Sequence, residues 1–362
     1  MPSEWGNPLL DRLAHRLAYF LDARAFARAS GGALPRRGPR TGRLLVLALA
    51  ALVVTLPPVL LLLGLYLIVA GAPIFGPFLV LLAVAGRPRF VRKLPVGVWE
   101  VPREAAPTLF AALERVAAAA GAPMPDVVAV EAGVNAWTMR IGRRRVLCLG
   151  LPLWAALPAQ QRAGLIGHEL GHFVNQDVRD GRLVSTALNT LATIIDALGG
   201  ALLRVFGPLA FVILLPLYLP YTALLVAARR DGQRAEYLAD QIAAEAAGTA
   251  AVAALVEFLL VTSGLAAALK ALHGRPASPA DWRTAGQAAR RGRDLDQLRQ
   301  RSLRVEASLR ATHPPAGRRA HMVGARGDHP PAVTMSEPEA QRIDAELAPW
   351  FDRLRAADAA YA

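Results

Sequence analysis

Residues 168–172 read His-Glu-Leu-Gly-His, and the interpretation of the whole chain starts from them. On a helix, residues four positions apart share one face, so His168 and His172 can direct two imidazole nitrogens at one metal ion. Glu169 lies one position round the helix, beside the metal and not among its ligands. A zinc ion held in this way keeps a water molecule of pKa about 7, whose proton the glutamate accepts. The pattern predicts a catalytic zinc helix; the competing interpretation is an ordinary amphipathic helix with two histidines.

A third protein ligand would leave zinc with one open position, and no further histidine follows His172 at a short spacing. Glu236 and Asp240 are again four apart and share a helical face. Glu236 can complete a His-His-Glu site, with Asp240 hydrogen-bonded to a ligand histidine. The pair follows directly after an apolar segment, and a membrane hairpin that leaves and re-enters on one side would return residue 236 to the neighbourhood of residue 172. Otherwise the pair would be a solvent-exposed helix face.

The composition predicts a membrane protein. The chain has 362 residues, 54% of them hydrophobic, and a mean hydropathy of +0.32, which is high for a soluble domain. Residues 44–85 contain no charge, and residues 183–228 form a second apolar stretch. One span needs about 20 residues, so each stretch is long enough for a hairpin, the first turning between Gly64 and Pro73. The alternative for residues 44–85 is one long tilted helix followed by a re-entrant segment.

The charge pattern predicts orientation. The net charge of +13 comes almost entirely from arginine, which clusters at both ends of both apolar stretches without interleaved aromatic residues. Such flanks mark the cytoplasmic side, so we expect four spans, a cytoplasmic catalytic domain and no nucleic-acid partner. A single cysteine, Cys148, excludes an internal disulfide and a thiolate zinc cluster, and its strand-like surroundings predict a buried thiol.

Residues 133–138, 168–172, 236–240 and 312–315 form four motifs that, in this order, resemble those of the HtpX-type membrane zinc metallopeptidases, which are gluzincins related to the CAAX prenyl endopeptidases. The resemblance covers about residues 100–320. Trp137 stands where the family usually has phenylalanine, and Ala320 where it often has a larger aliphatic residue. The motifs are the edge-strand motif at residues 133–138, the zinc motif at 168–172 with Asp177 five residues on, the third-ligand helix at 236–240, and the His-Pro motif at 312–315 followed by Arg319.

The resemblance implies a role for each further residue. Asn135 and Ala136 would hold the peptide substrate as an added strand, although the same residues suit a plain β-hairpin. His313 would donate a hydrogen bond to the oxyanion or gate the zinc, although it also suits a loop before two prolines. Arg319 would orient that loop or pair with an acid near the site. Asp177 would tie the motif helix to its neighbours.

The expected fold class is α+β: a multi-pass membrane protein with two transmembrane helical hairpins and a zincin-like, mainly helical catalytic domain with a small β-sheet. The expected divisions are an N-terminal amphipathic helix and linker at residues 1–42, a transmembrane hairpin at 43–86, the first catalytic part at 87–182, a second hairpin at 183–228 and the second catalytic part at 229–362.

The expected function is zinc-dependent hydrolysis of peptide bonds in membrane or misfolded proteins, as in quality control, at the cytoplasmic face of the cell membrane. One zinc ion per chain would be held by His168, His172 and Glu236. The sequence does not predict the oligomeric state. A CAAX-type processing protease is a rival, but that group uses more membrane helices. A catalytically silent scaffold has no need of Glu169, and the absence of polar residues at 44–85 disfavours a transporter.

Overall fold

The computed structural model describes residues 8–32, 34, 40–88, 93–174, 177–262, 265, 278–306 and 313–361. The chain divides into two compact units. One comprises Met1–Arg36, Arg92–Val178 and Gly232–Ala362, and the other comprises Arg37–Val91 and Arg179–Asp231. The helices are α1 (Pro8–Ser30), α2 (Arg40–Val69), α3 (Phe75–Ala85), α4 (Pro107–Ala120), α5 (Leu151–Ala156), α6 (Ala159–Val174), α7 (Asp177–Phe206), α8 (Leu209–Ala247), α9 (Thr249–Leu259), α10 (Pro279–Arg290), α11 (Leu295–Val305), α12 (Ala316–Ala325), α13 (Glu337–Glu346) and α14 (Ala348–Tyr361).

A small mixed sheet lies in the first unit, in the order β1-β2-β4-β3. β2 and β4 are parallel, whereas β1 pairs with β2 and β3 pairs with β4 in antiparallel fashion. The sequence predicts a strand at residues 126–131 and a β-hairpin of residues 134–141 and 145–149 that turns at Gly142-Arg143. Both are confirmed, and Gly142 is in a left-handed conformation. β1 was not predicted, because three residues are too few to show alternation. The strands are β1 (Val98–Glu100), β2 (Val127–Glu131), β3 (Ala136–Ile141) and β4 (Arg144–Gly150).

The two faces of the sheet have different neighbours. Leu147 and Leu149 of β4 belong to the main core, which includes buried residues of α4 and α6. Val146 and Cys148 point to the other face and are buried there beneath Trp137. Cys148 is thus buried, as its strand-like surroundings predicted. The alternation places α6 on one side of the sheet and the thiol on the other.

Acidic residues of the C-terminal segment form hydrogen bonds to α6, the helix that carries the zinc motif. The Asp344 carboxylate accepts hydrogen bonds from the buried Arg162 side chain of α6 at 2.6 and 3.1 Å, and from the Trp154 indole at 3.2 Å. Glu337 accepts the Ala159 backbone N–H at the start of α6 at 3.0 Å. The sequence predicts one final helix at residues 337–360, but the structure has two, α13 and α14, which meet at the buried Leu347.

The second unit contains the apolar helices. Among the described residues, three helices are long and apolar enough to cross a membrane: Arg43–Val69, Gly181–Phe206 and Leu209–Ala247. α3 has 11 residues, about 16 Å, which is half of a bilayer core of about 30 Å. The described residues therefore give three candidate spans where four were expected, because α2 takes most of the uncharged residues of the first apolar stretch and α3 is short.

The break in the second apolar stretch also differs from the prediction. The sequence predicts a break near Gly199-Gly200 and Arg204, but α7 continues through both positions. It ends at Phe206, and Gly207 follows with a left-handed φ of +54°. Pro208 comes next, and α8 begins at Leu209. Proline cannot continue a helix and glycine tolerates the left-handed turn, whereas isolated glycines inside an apolar helix only weaken it.

Candidate metal centre

Helix α6 and the part of α8 that begins at Gly232, both in the first unit, bring three metal-binding side chains together. α6 carries His168 and His172, and α8 carries Glu236. His168 Nε2 lies 3.6 Å from Glu236 Oε2, and His172 Nε2 lies 3.5 Å from Glu236 Oε1. One ligand atom from each of the three residues can be chosen so that all lie within 4.8 Å of one another. Tetrahedral zinc with bonds of about 2.05 Å separates its ligand atoms by about 3.3 Å, so this donor set fits a zinc ion.

Small residues allow α6 and α8 to approach this closely. A Cβ added at Gly171 would lie 2.9 Å from Ala239 Cα, and one at Gly167 would lie 3.1 Å from Ala243 Cα. The two helices run in opposite directions, since Gly171 and Gly167 face positions in reverse order along α8. Gly171 is a site residue that sequence reasoning missed: its place between the two motif histidines was the available signal.

A carboxylate and a guanidinium orient His168. His168 Nδ1 lies 2.9 Å from Asp240 Oδ1, which leaves Nε2 for a metal. Arg319 donates to both oxygens of Asp240, at 2.7 and 2.9 Å. It also lies 3.4 Å from Glu236 Oε2. Of its two predicted roles, Arg319 therefore takes the place expected for pairing with an acid near the site.

The electrostatics of the site lower the pKa of His172, which favours its neutral imidazole, and raise the pKa of the neighbouring Glu169. Burial lowers the pKa of His172 to about 4. Burial and Arg319 also act to lower the pKa of His168, but the hydrogen bond and charge of Asp240 outweigh them and raise it. Burial raises the pKa of Glu169. The Oε2 atom of Glu169 is buried without a hydrogen-bond partner among the described residues. This carboxylate is therefore available to accept a proton.

His313 reaches the same cluster from the segment before α12. Its Nδ1 lies 2.8 Å from Glu236 Oε2, and about half of its side chain is exposed. The structure thus brings His313 to the site from a distant part of the sequence. Thr312, which precedes it in the motif, lies outside the described residues. Asp177 begins α7, but its side chain lies outside the described part of the chain, so its predicted role stays a prediction.

The residues expected to bind substrate lie at the edge of the sheet. Ala136 begins β3 opposite Leu149, and the exposed Asn135 accepts the Gly150 N–H at 2.8 Å through its backbone oxygen. β3 is a terminal strand of the sheet and contacts α6. Their role in substrate binding stays a prediction.

Trp137, the departure from the usual phenylalanine, lies on the face of the sheet that carries Cys148. Its indole Nε1 donates to Glu131 Oε1 at 2.9 Å. The larger side chain therefore has its polar atom satisfied within the sheet. The difference in size from phenylalanine falls on the face of the sheet that points away from α6.

A buried His-His-Glu donor set on two closely packed helices, with a neighbouring carboxylate that has a free oxygen, defines a metallopeptidase of the gluzincin class. Residues 104–326, more than half of the chain, match the profile of peptidase family M48. The chain belongs to this family of metallopeptidases, and the predicted resemblance to HtpX-type enzymes is confirmed.

Individual relatives agree with this assignment. The chain is 32% identical over 114 residues to "Protease HtpX homolog" of Bifidobacterium longum (strain NCC 2705), covering 31% of this chain and 36% of that protein. It is 28% identical over 262 residues to "Protease HtpX homolog" of Desulfatibacillum aliphaticivorans, covering 68% of this chain and 78% of that protein. The chain thus spans about a third of the first relative's length and over three quarters of the second's. No solved structure matches.

Proposed function

We propose that this chain is a zinc-dependent endopeptidase with one zinc ion held by His168, His172 and Glu236. The observation that carries the proposal is the convergence of three ligand atoms within 4.8 Å of one another, beside a Glu169 oxygen that has no hydrogen-bond partner among the described residues. A bound zinc ion supplies Lewis-acid chemistry, polarising the scissile carbonyl and acidifying a water molecule.

The chain's own residues carry out proton transfer, stabilisation of the oxyanion, orientation of the ligands and binding of the substrate. Glu169 accepts a proton from the attacking water and passes it to the leaving amine. His313, half exposed at the edge of the cluster, donates a hydrogen bond to the developing oxyanion. Asp240 and Arg319 hold His168 in the orientation that presents Nε2. Asn135 and Ala136 hold the substrate in extended form along β3, and Asp177 ties the motif helix to its neighbours.

We place the enzyme in the cell membrane, with its catalytic domain at the cytoplasmic face. Three apolar helices and the arginines that flank the apolar stretches support this placement. The partners are then the lipid bilayer and peptide segments of membrane or misfolded proteins, as in quality control, and no nucleic acid.

The test uses the full-length protein purified in detergent, as wild type and Glu169→Gln. We expect about one zinc ion in both proteins. Cleavage of casein, or of the protein itself, should fall about 10²- to 10⁴-fold in the variant, because only the proton acceptor is lost. A matched control is Glu114→Gln, an exposed acid of α4 paired with Arg103, which should cleave like wild type.

Each other outcome contradicts a defined part of the proposal. An active Glu169→Gln protein would exclude Glu169 as the proton acceptor. Zinc in both proteins without cleavage by either would favour the silent scaffold. Failure of the wild type to bind zinc when the metal is supplied would contradict the ligand set.

A further inference from the structure

One face of the edge strand β3 points to the same side as the motif helix. Side chains directly opposite in an antiparallel pair project from the same face. Leu149 and Leu147 belong to the main core with α6, so their partners in β3 share that side. The cross-strand pairs on this face are Ala136 with Leu149, Thr138 with Leu147, and Arg140 with Arg145.

The last of these pairs sets two positive charges opposite each other. The Asp126 carboxylate accepts two hydrogen bonds from the Arg145 guanidinium, at 3.0 and 3.1 Å, and one from the Arg145 backbone N–H, at 2.7 Å. Arg140 instead donates to the backbone oxygen of Arg143 at 2.9 Å. Among the described residues, no carboxylate lies within ion-pair distance of Arg140, which is partly buried. Within the described part of the chain Arg140 therefore has no direct ion pair, and the Asp126 carboxylate, which pairs with Arg145, interacts with Arg140 only at longer range. Like charges directly opposite are unfavourable.

The geometry of strand addition relates this charge to a position in the substrate. Four residues separate Ala136 from Arg140, about 13 Å along an extended chain. Antiparallel pairs outnumber parallel ones about two- to threefold, so we take a substrate strand to run against β3. The substrate residue beside Arg140 then lies about four positions N-terminal to the residue beside Ala136.

We propose that Arg140 determines specificity for substrates with an acidic side chain about four residues N-terminal to the residue that pairs with Ala136. This inference rests on the proposed peptidase function. An acidic side chain there forms an opposite-charge cross-strand pair with Arg140, because Asp126 pairs directly with Arg145 instead. The corresponding preference for Glu over Gln is at most about fivefold, and it shrinks at high salt because the site is only partly buried.

The test measures cleavage and binding of matched peptides. Three internally quenched peptides differ only in Glu, Gln or Lys at one position, and mass spectrometry locates the cleaved bond. With the zinc-loaded full chain in detergent, wild type should show kcat/KM in the order Glu, Gln, Lys. Arg140→Gln should reduce kcat/KM for the Glu peptide to that for the Gln peptide, and Arg140→Glu should reverse the order of Glu and Lys. Arg143→Gln, which removes one positive charge from the neighbouring turn, should keep the wild-type ratio.

Two results would overturn the inference. One is a Glu preference that survives in Arg140→Gln; the other is a preference only for acids on the C-terminal side of the cleaved bond. Fluorescence anisotropy of the same peptides on Glu169→Gln protein separates this inference from the proposed function. A Glu-over-Gln binding preference that disappears in Glu169→Gln/Arg140→Gln supports the role of Arg140 even without turnover. Equal binding of the Glu and Gln peptides contradicts it.

Discussion

Adding a single methyl group at Gly171 should weaken zinc binding without touching a ligand. The Cβ of Gly171→Ala would lie 2.9 Å from Ala239 Cα and 3.2 Å from Ala239 Cβ. Carbon atoms in favourable contact are about 3.5–4.0 Å apart, so α6 and α8 must separate by roughly 0.5–1 Å. Both partners are helix positions close to the backbone, and neither can rotate away.

The size of the effect follows from the ligand spacing. Separating the helices takes Glu236 away from His168 and His172, whose ring nitrogens now lie 3.6 and 3.5 Å from its oxygens. Zinc bond lengths tolerate about ±0.2 Å, less than the required shift. If the metal-free protein relaxes and zinc binding restores the close approach, an overpacking cost of about 1–3 kcal/mol appears as a 5- to 150-fold rise in zinc Kd.

The assay is competition for zinc against a fluorescent chelator, with the full-length protein in detergent. Gly232→Ala is the matched control, because Gly232 lies in α8 four residues before Glu236 and its added Cβ meets nothing within 4 Å. This control should keep the wild-type Kd and gain up to about 1 kcal/mol of helix stability. A Gly171→Ala protein whose zinc Kd stays within twofold of wild type would refute the reasoning.

Two further predictions concern parts of the first unit outside the metal centre. Asp344→Ala leaves the buried Arg162 without its carboxylate, which should cost about 3–5 kcal/mol and lower the apparent Tm by about 10 °C in thermal unfolding, whereas the exposed Asp352→Ala should change it little. An Asp344→Ala protein whose Tm stays within 2 °C of wild type would contradict this prediction. Burial raises the pKa of Cys148, so iodoacetamide at pH 8 should label it, by mass spectrometry, only after denaturation. Rapid labelling of the folded protein would show an exposed thiol.

Local sequence patterns predicted the parts of the site that depend on helical periodicity. His168 and His172 share a face because four residues make about one helical turn, and the same rule pairs Glu236 with Asp240. The hairpin of β3 and β4 was predictable from alternation and a glycine turn. Each of these features is determined within a few residues of chain, where backbone geometry leaves few alternatives.

Contacts between distant segments were less accessible to sequence reasoning. The hydrogen bonds of Asp344 to Arg162 join positions 182 residues apart, and nothing in either neighbourhood indicates the other. The sequence also left open whether residues 44–85 make two full spans, since an uncharged stretch states how many apolar residues exist but not how two helices divide them.

The sequence by itself determined the resemblance of the motifs to those of a known family, the metal-binding residue types and the apolar stretches. These features depend on residue identity and local spacing. Only the tertiary structure decided that α6 and α8 come into close contact at Gly171 and Ala239. It also decided that Arg140 lies opposite Arg145, and that Asp126 pairs directly with Arg145. Such features depend on which surfaces meet, and a one-dimensional pattern does not specify distances between segments that fold together from far apart in the chain.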